Sequence, residues 1–189
     1  MEELKRRILN DAIVQEGDII QVDMFLNHYL DLSLLESMGA ALAKRFRGSG
    51  ITKVLTVETS GIPLACFTAR SAGVDAVFAR RFQTGYMDHT VYSSAIHSFS
   101  VDKAYTLRVA KNCLSEQDKV LIVDDILASG QAVLGLLEII AKAGAEVIGI
   151  GVGIEKEMRD GGALLRRMGL RVEALATVER VENGRIYLK

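Results

Sequence analysis

Hydrophobic and polar positions along this chain alternate between two periods: short unbroken apolar runs, and longer stretches with one apolar face. Residues 2–10 predict a short charged helix. Ser33-Leu-Leu-Glu36 reads as a capping box, in which the serine accepts from a first-turn amide while the glutamate reaches back. The helix it opens runs to about Arg47 and stops at Gly48. Residues 53–58 form a compact apolar run of strand type, followed by Thr59-Ser60-Gly61, a helix over 62–72 and a strand over 75–79. Residues 119–125 form an apolar strand ending in two acids. A helix over 130–143 follows, closed by Gly144, then a strand over 146–154, a helical pattern over 156–168, and strands over 171–178 and 185–188. Strands alternating with helices, and strands apolar almost throughout, imply a mainly parallel sheet covered by helices on both faces. The expected fold is α/β, as a single domain over residues 1–189.

Between Arg80 and Lys111 the pattern weakens, and hydroxyl, aromatic and histidine residues mix without a helical period, as in Gln83-Thr-Gly-Tyr-Met-Asp-His-Thr-Val-Tyr-Ser-Ser94. Two readings stand side by side: a mobile lid or binding loop, and a plain surface hairpin. Gly149, Gly151 and Gly153 lack the spacing of a dinucleotide-binding loop and lie inside a strand pattern, so they read as places of close packing. The chain has no G-x-x-x-x-G-K-[ST] segment, which excludes a P-loop kinase or ATPase.

Composition narrows the function. With 23 basic against 24 acidic residues, the net charge of -1 offers no excess of cations for a phosphate backbone, which argues against a nucleic-acid partner. Cys66 and Cys113 fall in no CxxC or Cys/His ligand pattern and read as reduced thiols. The start, Met1-Glu-Glu-Leu-Lys-Arg-Arg, lacks the apolar stretch of a signal peptide. The apolar run 132–141 is broken by Glu138 and too short to cross a bilayer. A soluble, cytoplasmic protein without a membrane partner is therefore expected. His28, His89 and His97 have no metal-ligand spacing.

The chemistry concentrates in Val120-Leu-Ile-Val-Asp124-Asp125-Ile-Leu-Ala-Ser129-Gly130-Gln-Ala132. In a parallel α/β sheet, ligands bind where strands end and helices begin. Here a strand delivers two carboxylates to that rim, and a turn of small residues feeds a helix N-terminus. Free amides and a positive dipole end there can hold a phosphate, and Ser129 adds a hydroxyl. Two acids beside a phosphate cradle need hydroxyls or a metal to face, and a sugar phosphate supplies the hydroxyls. The plain alternative is an ordinary βα loop with its helix cap.

This segment resembles the phosphoribosyl pyrophosphate (PRPP) motif of the type I phosphoribosyltransferases. The resemblance implies that Asp124 and Asp125 contact the ribose hydroxyls and that Ala128, Ser129, Gly130, Gln131 and Ala132 hold the 5′-phosphate. Ser129 stands where many members have threonine, which keeps the hydroxyl. Glu58-Thr-Ser-Gly-Ile-Pro63 looks like the family's pyrophosphate loop, with Ser60 and Gly61 near the leaving group. Residues 80–102 look like the flexible hood loop, with Arg80 and Arg81 at its basic start, a position that in relatives reaches a neighbouring subunit's pyrophosphate. The resemblance also implies a small hood built from the termini, Mg²⁺ carried with PRPP rather than held directly by the protein, and a homodimer.

The resemblance covers essentially the whole chain and is nearest to the xanthine phosphoribosyltransferases. It rests there on Asp23-Met-Phe-Leu-Asn27-His28 and Gly153-Ile-Glu155-Lys156. It implies a purine site in which Lys156 donates to a 6-oxo group, which adenine lacks. Asn27 would meet the second oxygen and adjacent N–H of xanthine, and Ile20 would contact the base. Taken without the family, Lys156 is a surface charge and Asn27 a turn residue. The function expected is transfer of the 5-phosphoribosyl group to a 6-oxopurine, with xanthine first, guanine or hypoxanthine as alternatives, and a non-catalytic PRPP-sensing transcriptional regulator as the reading from another class.

Overall fold

The computed structural model describes residues 1–15, 19–81, 90–98 and 103–189. In chain order the elements are helix α1 (Glu2–Asp11), strands β1 (Ile13–Gln15) and β2 (Ile19–Gln21), one wide π turn over Asp23–Asn27, helix α2 (Leu32–Arg45), strand β3 (Lys53–Val57), helix α3 (Gly61–Ala72), strands β4 (Asp75–Ala79), β5 (Val91–Ser98), β6 (Lys103–Ala110) and β7 (Lys119–Leu127), helix α4 (Gln131–Ala143), strand β8 (Glu146–Lys156), helix α5 (Gly161–Arg167), and strands β9 (Val172–Glu182) and β10 (Arg185–Leu188).

Six strands form the central sheet in the order β10-β9-β8-β7-β3-β4, parallel except for the antiparallel edge strand β10. The α/β sheet expected from the apolar runs is therefore present. From β3 the chain crosses through α3 to β4 on one side, whereas from β7 it crosses through α4 to β8 on the other. Crossovers of one hand running in opposite directions place their helices on opposite faces. One core accordingly gathers Leu4 and Ile8 of α1, Met38, Leu42 and Phe46 at the α2 end, and Leu64 of α3 against Val54, Leu121 and Val123. The other gathers Leu136 and Ile140 of α4 and Leu165 of α5 against Leu55, Val120, Ile122 and Val152. The alternation of Val120 and Ile122 with Leu121 and Val123 between the two cores is the two-residue period of a strand buried on both sides.

The three glycines of β8 set how closely α2 approaches. A Cβ on Gly149 would lie 2.6 Å from the Phe46 ring, one on Gly151 3.2 Å from Leu42, and one on Gly153 2.9 Å from Met38. Those partners recur every four residues along α2, so the helix lies along a groove that the missing side chains leave open.

The structure departs from the sequence reading in several places. Asp31, not Ser33, caps α2: its carboxylate accepts the Leu34 N–H at 3.1 Å. It also pairs with Arg7 of α1, and these donors hold its carboxyl below the ordinary carboxylate range. A side chain that serves both the helix end and a second helix displaces a serine that serves only the first. Residues 13–27 gave no predicted element because strands of three residues carry too little alternation to register. The helical pattern over 156–168 is broken, since β8 continues to Lys156, a 3₁₀ turn spans Glu157–Arg159, and Asp160 takes a left-handed conformation (φ 57°) before α5 begins. Of the two readings of the 80–111 region, the described residues take the hairpin, β5 pairing antiparallel with β6. The remainder of that region, 82–89 and 99–102, lies outside the described residues, as do His89 and most of the expected hood loop. The hairpin packs on α4, where Gly135 leaves room for Ile96 and Leu107 and Ser94 donates to Glu138 at 2.6 Å.

Helices α2 and α3 meet at Gly39, where a Cβ would lie 2.5 Å from the Phe67 carbonyl carbon and 2.7 Å from the Thr68 nitrogen. Main chain cannot turn aside as a side-chain tip can. Gly39→Ala is expected to cost about 1–3 kcal/mol, read as a lower urea midpoint; an unchanged midpoint would show that the two helices are not in contact there.

Candidate active site

Strand order reverses between β3 and β7, and in an open parallel sheet that reversal opens a crevice at the carboxyl ends of the two strands. A cavity of about 650 Å³ lies there. The β3–α3 side supplies Val57 and Ser60, β7, its following loop and the first turn of α4 supply residues 124–133, the β6 arm supplies Ala104 and Tyr105, and Asn27 and Arg81 complete the wall.

The floor is acidic. Asp124 and Asp125 end the apolar run of β7 and are only 8% and 5% exposed. The Ser60 hydroxyl donates to Asp125 Oδ1 at 3.0 Å, and the Asp125 N–H donates to Asp124 Oδ1 at 3.1 Å. Burial, and next the neighbouring Asp125 charge, push the Asp124 carboxyl well above the ordinary carboxylate range, while Arg81 pulls weakly the other way. Gly61 permits this crowding: a Cβ there would lie 2.7 Å from Asp124 Oδ1 and 2.3 Å from the Thr56 hydroxyl. That hydroxyl is buried and has no hydrogen-bond partner among the described residues.

Beside the acids the wall turns to bare backbone. Gly130 caps α4 in a left-handed conformation (φ 79°) that side chains resist, and no side chain among the described residues accepts from the capping amides. The positive end of a 13-residue helix is thus left to a ligand. The loop is held from behind by Gly161, whose N–H donates to the Ala128 carbonyl at 3.0 Å. A Cβ on Gly161 would come within 2.2 Å of that oxygen.

Among the residues singled out in the sequence, Asp124, Asp125, Ala128, Ser129, Gly130, Gln131, Ala132, Ser60, Arg81 and Asn27 all line this one cavity. Gly61 lies just beneath it, against Asp124. Arg80 lies outside it, its guanidinium over the Phe78 ring and its main chain paired with Arg108. Ile20 is buried in the core under α1 and α2. Lys156 stands half-buried at the end of β8, opposite Val178 of β9. The sequence reading missed Tyr105, whose ring carries the Arg81 guanidinium at 4.9 Å. It also passed over Ile126, which lies inside the quoted motif and lines the cavity. Tyr105 comes from the hairpin, far along the chain, and only the arm's fold brings it in.

The phosphoribosyl transferase domain family matches residues 27–161 of this chain. A xanthine phosphoribosyltransferase of Ruminiclostridium cellulolyticum is 46% identical over 186 residues, 98% of each chain. Another, of Clostridium novyi, is 44% identical over 189 residues, the whole of both. The chain belongs to the phosphoribosyl transferase family. Solved structures with the same fold include an adenine phosphoribosyltransferase from Thermoanaerobacter pseudethanolicus, with TM-score 0.78 and 22% identity, covering 93% of this chain and 98% of that one. One from Giardia lamblia, complexed with 9-deazaadenine, gives 0.76 and 23%, covering 90% and 94%. At such identities the likeness speaks for the fold alone.

In this phosphoribosyl transferase the acid pair carries a stability cost that the unliganded protein reveals. Asp124 keeps its proton in the folded chain at pH values where the unfolded chain has lost it. The unfolded state therefore binds fewer protons, and stability falls as pH rises above the ordinary value of 3.8. Asp124→Asn removes that loss. The unliganded variant is expected to melt above the parent at neutral pH, the gain shrinking to nothing as pH falls toward 3.8. A variant that melts below the parent across the whole range would mean that Asp124 is ionised at no cost.

Proposed function

We propose that this enzyme transfers the 5-phosphoribosyl group of PRPP to a 6-oxopurine, xanthine before guanine or hypoxanthine, giving xanthosine 5′-monophosphate and pyrophosphate in purine salvage. The observation that carries the reading is the cavity itself, one wall of which joins a buried acid pair to the start of a helix beside a space the size of a small molecule. A ligand with hydroxyls at one end and a phosphate at the other satisfies both. The two relatives named xanthine phosphoribosyltransferase, similar over the full chain, support the choice of base.

In this reading residues 128–132 take the 5′-phosphate on main-chain amides, with the Ser129 hydroxyl adding a donor. Asp124 and Asp125 accept from the ribose hydroxyls, and the charge so placed opposes the positive charge that develops on the ribose ring. Ser60 and Gly61 lie beside the acids, where the departing pyrophosphate would pass. Arg81 supplies a cation on the same wall. Asn27 reaches the cavity from the opposite side, Ile20 backs its segment from the core, and Lys156 offers an ammonium to a 6-oxo group. The cavity walls keep water from the reacting atoms and hold the base nitrogen toward the anomeric carbon.

Mg²⁺ fits this arrangement as a companion of PRPP. No group of three acidic, histidine or cysteine side chains able to cage a metal occurs among the described residues. Mg²⁺ is commonly held by one or two carboxylates together with substrate phosphates. Asp124 and Asp125 would hold it through the ribose hydroxyls, and it would neutralise charge on the leaving pyrophosphate. Arg80, outside its own chain's cavity, suits a homodimer in which it serves the neighbouring site. Both cysteines are free and exposed, which suits a cytoplasmic location. No helix among the described residues is long and apolar enough to cross a membrane.

Pyrophosphate release from PRPP and Mg²⁺ with xanthine, guanine, hypoxanthine and adenine in turn is expected to be fastest with xanthine and absent with adenine. In Lys156→Ala the KM for xanthine should rise roughly 10- to 100-fold, the worth of one hydrogen bond to a charged donor, with the KM for PRPP little changed. Equal effects on both substrates would remove Lys156 from the base site, and PRPP binding without turnover of any base would turn the reading toward a PRPP sensor.

A further inference from the structure

Among the described residues Glu155 is the most buried carboxylate, 3% exposed, and no step above uses it. Both its oxygens are taken by Arg166, from the last turn of α5, at 2.6 and 2.8 Å. Taking the Glu155 carboxylate out of water costs several kcal/mol, which its attraction to Arg166, itself 44% exposed, barely returns. The pair therefore needs a reason other than stability.

Its surroundings supply one. A Cβ on Gly162 would fall 1.8 Å from Glu155 Oε1 and 2.7 Å from Arg166 Nη1, so the start of α5 lies flat on the ion pair. One residue earlier, Gly161 touches the phosphate loop: its N–H bonds the Ala128 carbonyl, and a Cβ there would lie 2.7 Å from the Gly130 nitrogen. Two consecutive glycines thus press on the loop and on the pair. In the sheet, Glu155 sits in register with Leu127, the residue before that loop. Along its own strand it immediately precedes Lys156. Arg166 anchors the far end of α5 to the same strand end, so α5 cannot shift against β8 without breaking a two-pronged contact.

We infer that the Glu155–Arg166 ion pair is a positioning clamp that sets the phosphate loop 128–130 and the base-selecting Lys156 at a fixed separation, so that one molecule spanning both is held correctly at each end. The inference rests on the roles given above to that loop and to Lys156. Glu155 and Arg166 are positioning residues and touch no substrate. A misplacement of about 1 Å is enough to cost up to roughly 100-fold in the use of a spanning substrate.

The test compares Glu155→Gln, Arg166→Met and Arg166→Lys with the parent by calorimetric binding of xanthosine 5′-monophosphate and of PRPP with Mg²⁺, and by steady-state kinetics with xanthine. Kd and KM do not depend on what fraction of a preparation is folded, so loss of stability alone moves neither. The clamp predicts that Glu155→Gln and Arg166→Met raise the Kd for xanthosine 5′-monophosphate, which spans both sites, and lower kcat/KM, each by roughly 10- to 100-fold, while the Kd for PRPP changes little. Arg166→Lys, which keeps the charge but loses the fork, should fall between. A fall in melting temperature with the Kd for xanthosine 5′-monophosphate unchanged overturns the clamp, as does a PRPP Kd that rises by the same factor. If the parent binds PRPP but turns over no base, the proposed reaction fails, while the Kd series still decides whether the pair sets the loop.

Discussion

The reversal of strand order between β3 and β7 is the constraint on which the rest of the structure depends. Because the chain leaves these two neighbouring strands in opposite directions, α3 and α4 go to opposite faces of the sheet, and neither helix covers the space above the strand ends. Everything needed for chemistry is then delivered to that gap by elements that already have structural work. Strand β7 brings the acids, the start of α4 brings bare amides, and the β3–α3 turn brings Ser60 beneath Asp125. The β5–β6 hairpin, seated on α4, brings Tyr105 and its stacked Arg81.

Within the gap two electrostatic demands oppose each other. The helix end wants an anion, whereas the floor is two carboxylates crowded together out of water. Ser60 and the Asp125 N–H each donate once to the acids, and the Thr56 hydroxyl nearby is buried without a partner among the described residues. A ligand carrying hydroxyls and a phosphate relieves both demands at once. Sites of this kind lower the stability of the free protein and recover it on binding. The glycines around the site follow the same logic: Gly61, Gly130 and Gly161 each let backbone or carboxylate stand where a Cβ would intrude or strain.

Much of this was legible in the chain. The apolar runs of β3, β7 and β8 are buried on both faces, so hydrophobicity alone marked them, and the acids at the end of β7 followed from the break in that run. The 128–132 loop was legible because small residues at a strand–helix junction have a specific backbone use. Other parts were not. Asp31 captured the α2 cap because a distant arginine, Arg7, also holds it, a relation no local window contains. Strands β1 and β2 are too short for a period, and Asp160 broke a helical pattern by adopting a left-handed conformation that composition does not announce. Tyr105 enters the wall only through the packing of the hairpin on α4, and the Glu155–Arg166 pair matters only because Gly161 and Gly162 lie between it and the loop.

The most direct test of this account is a crystal structure of the chain with PRPP and Mg²⁺ bound. The account places the 5′-phosphate on the amides of residues 128–132 and the ribose hydroxyls on Asp124 and Asp125, with the anomeric carbon turned toward the space between Asn27 and Lys156. A phosphate held anywhere other than the start of α4, or a ribose that leaves both acids without a partner, would contradict it.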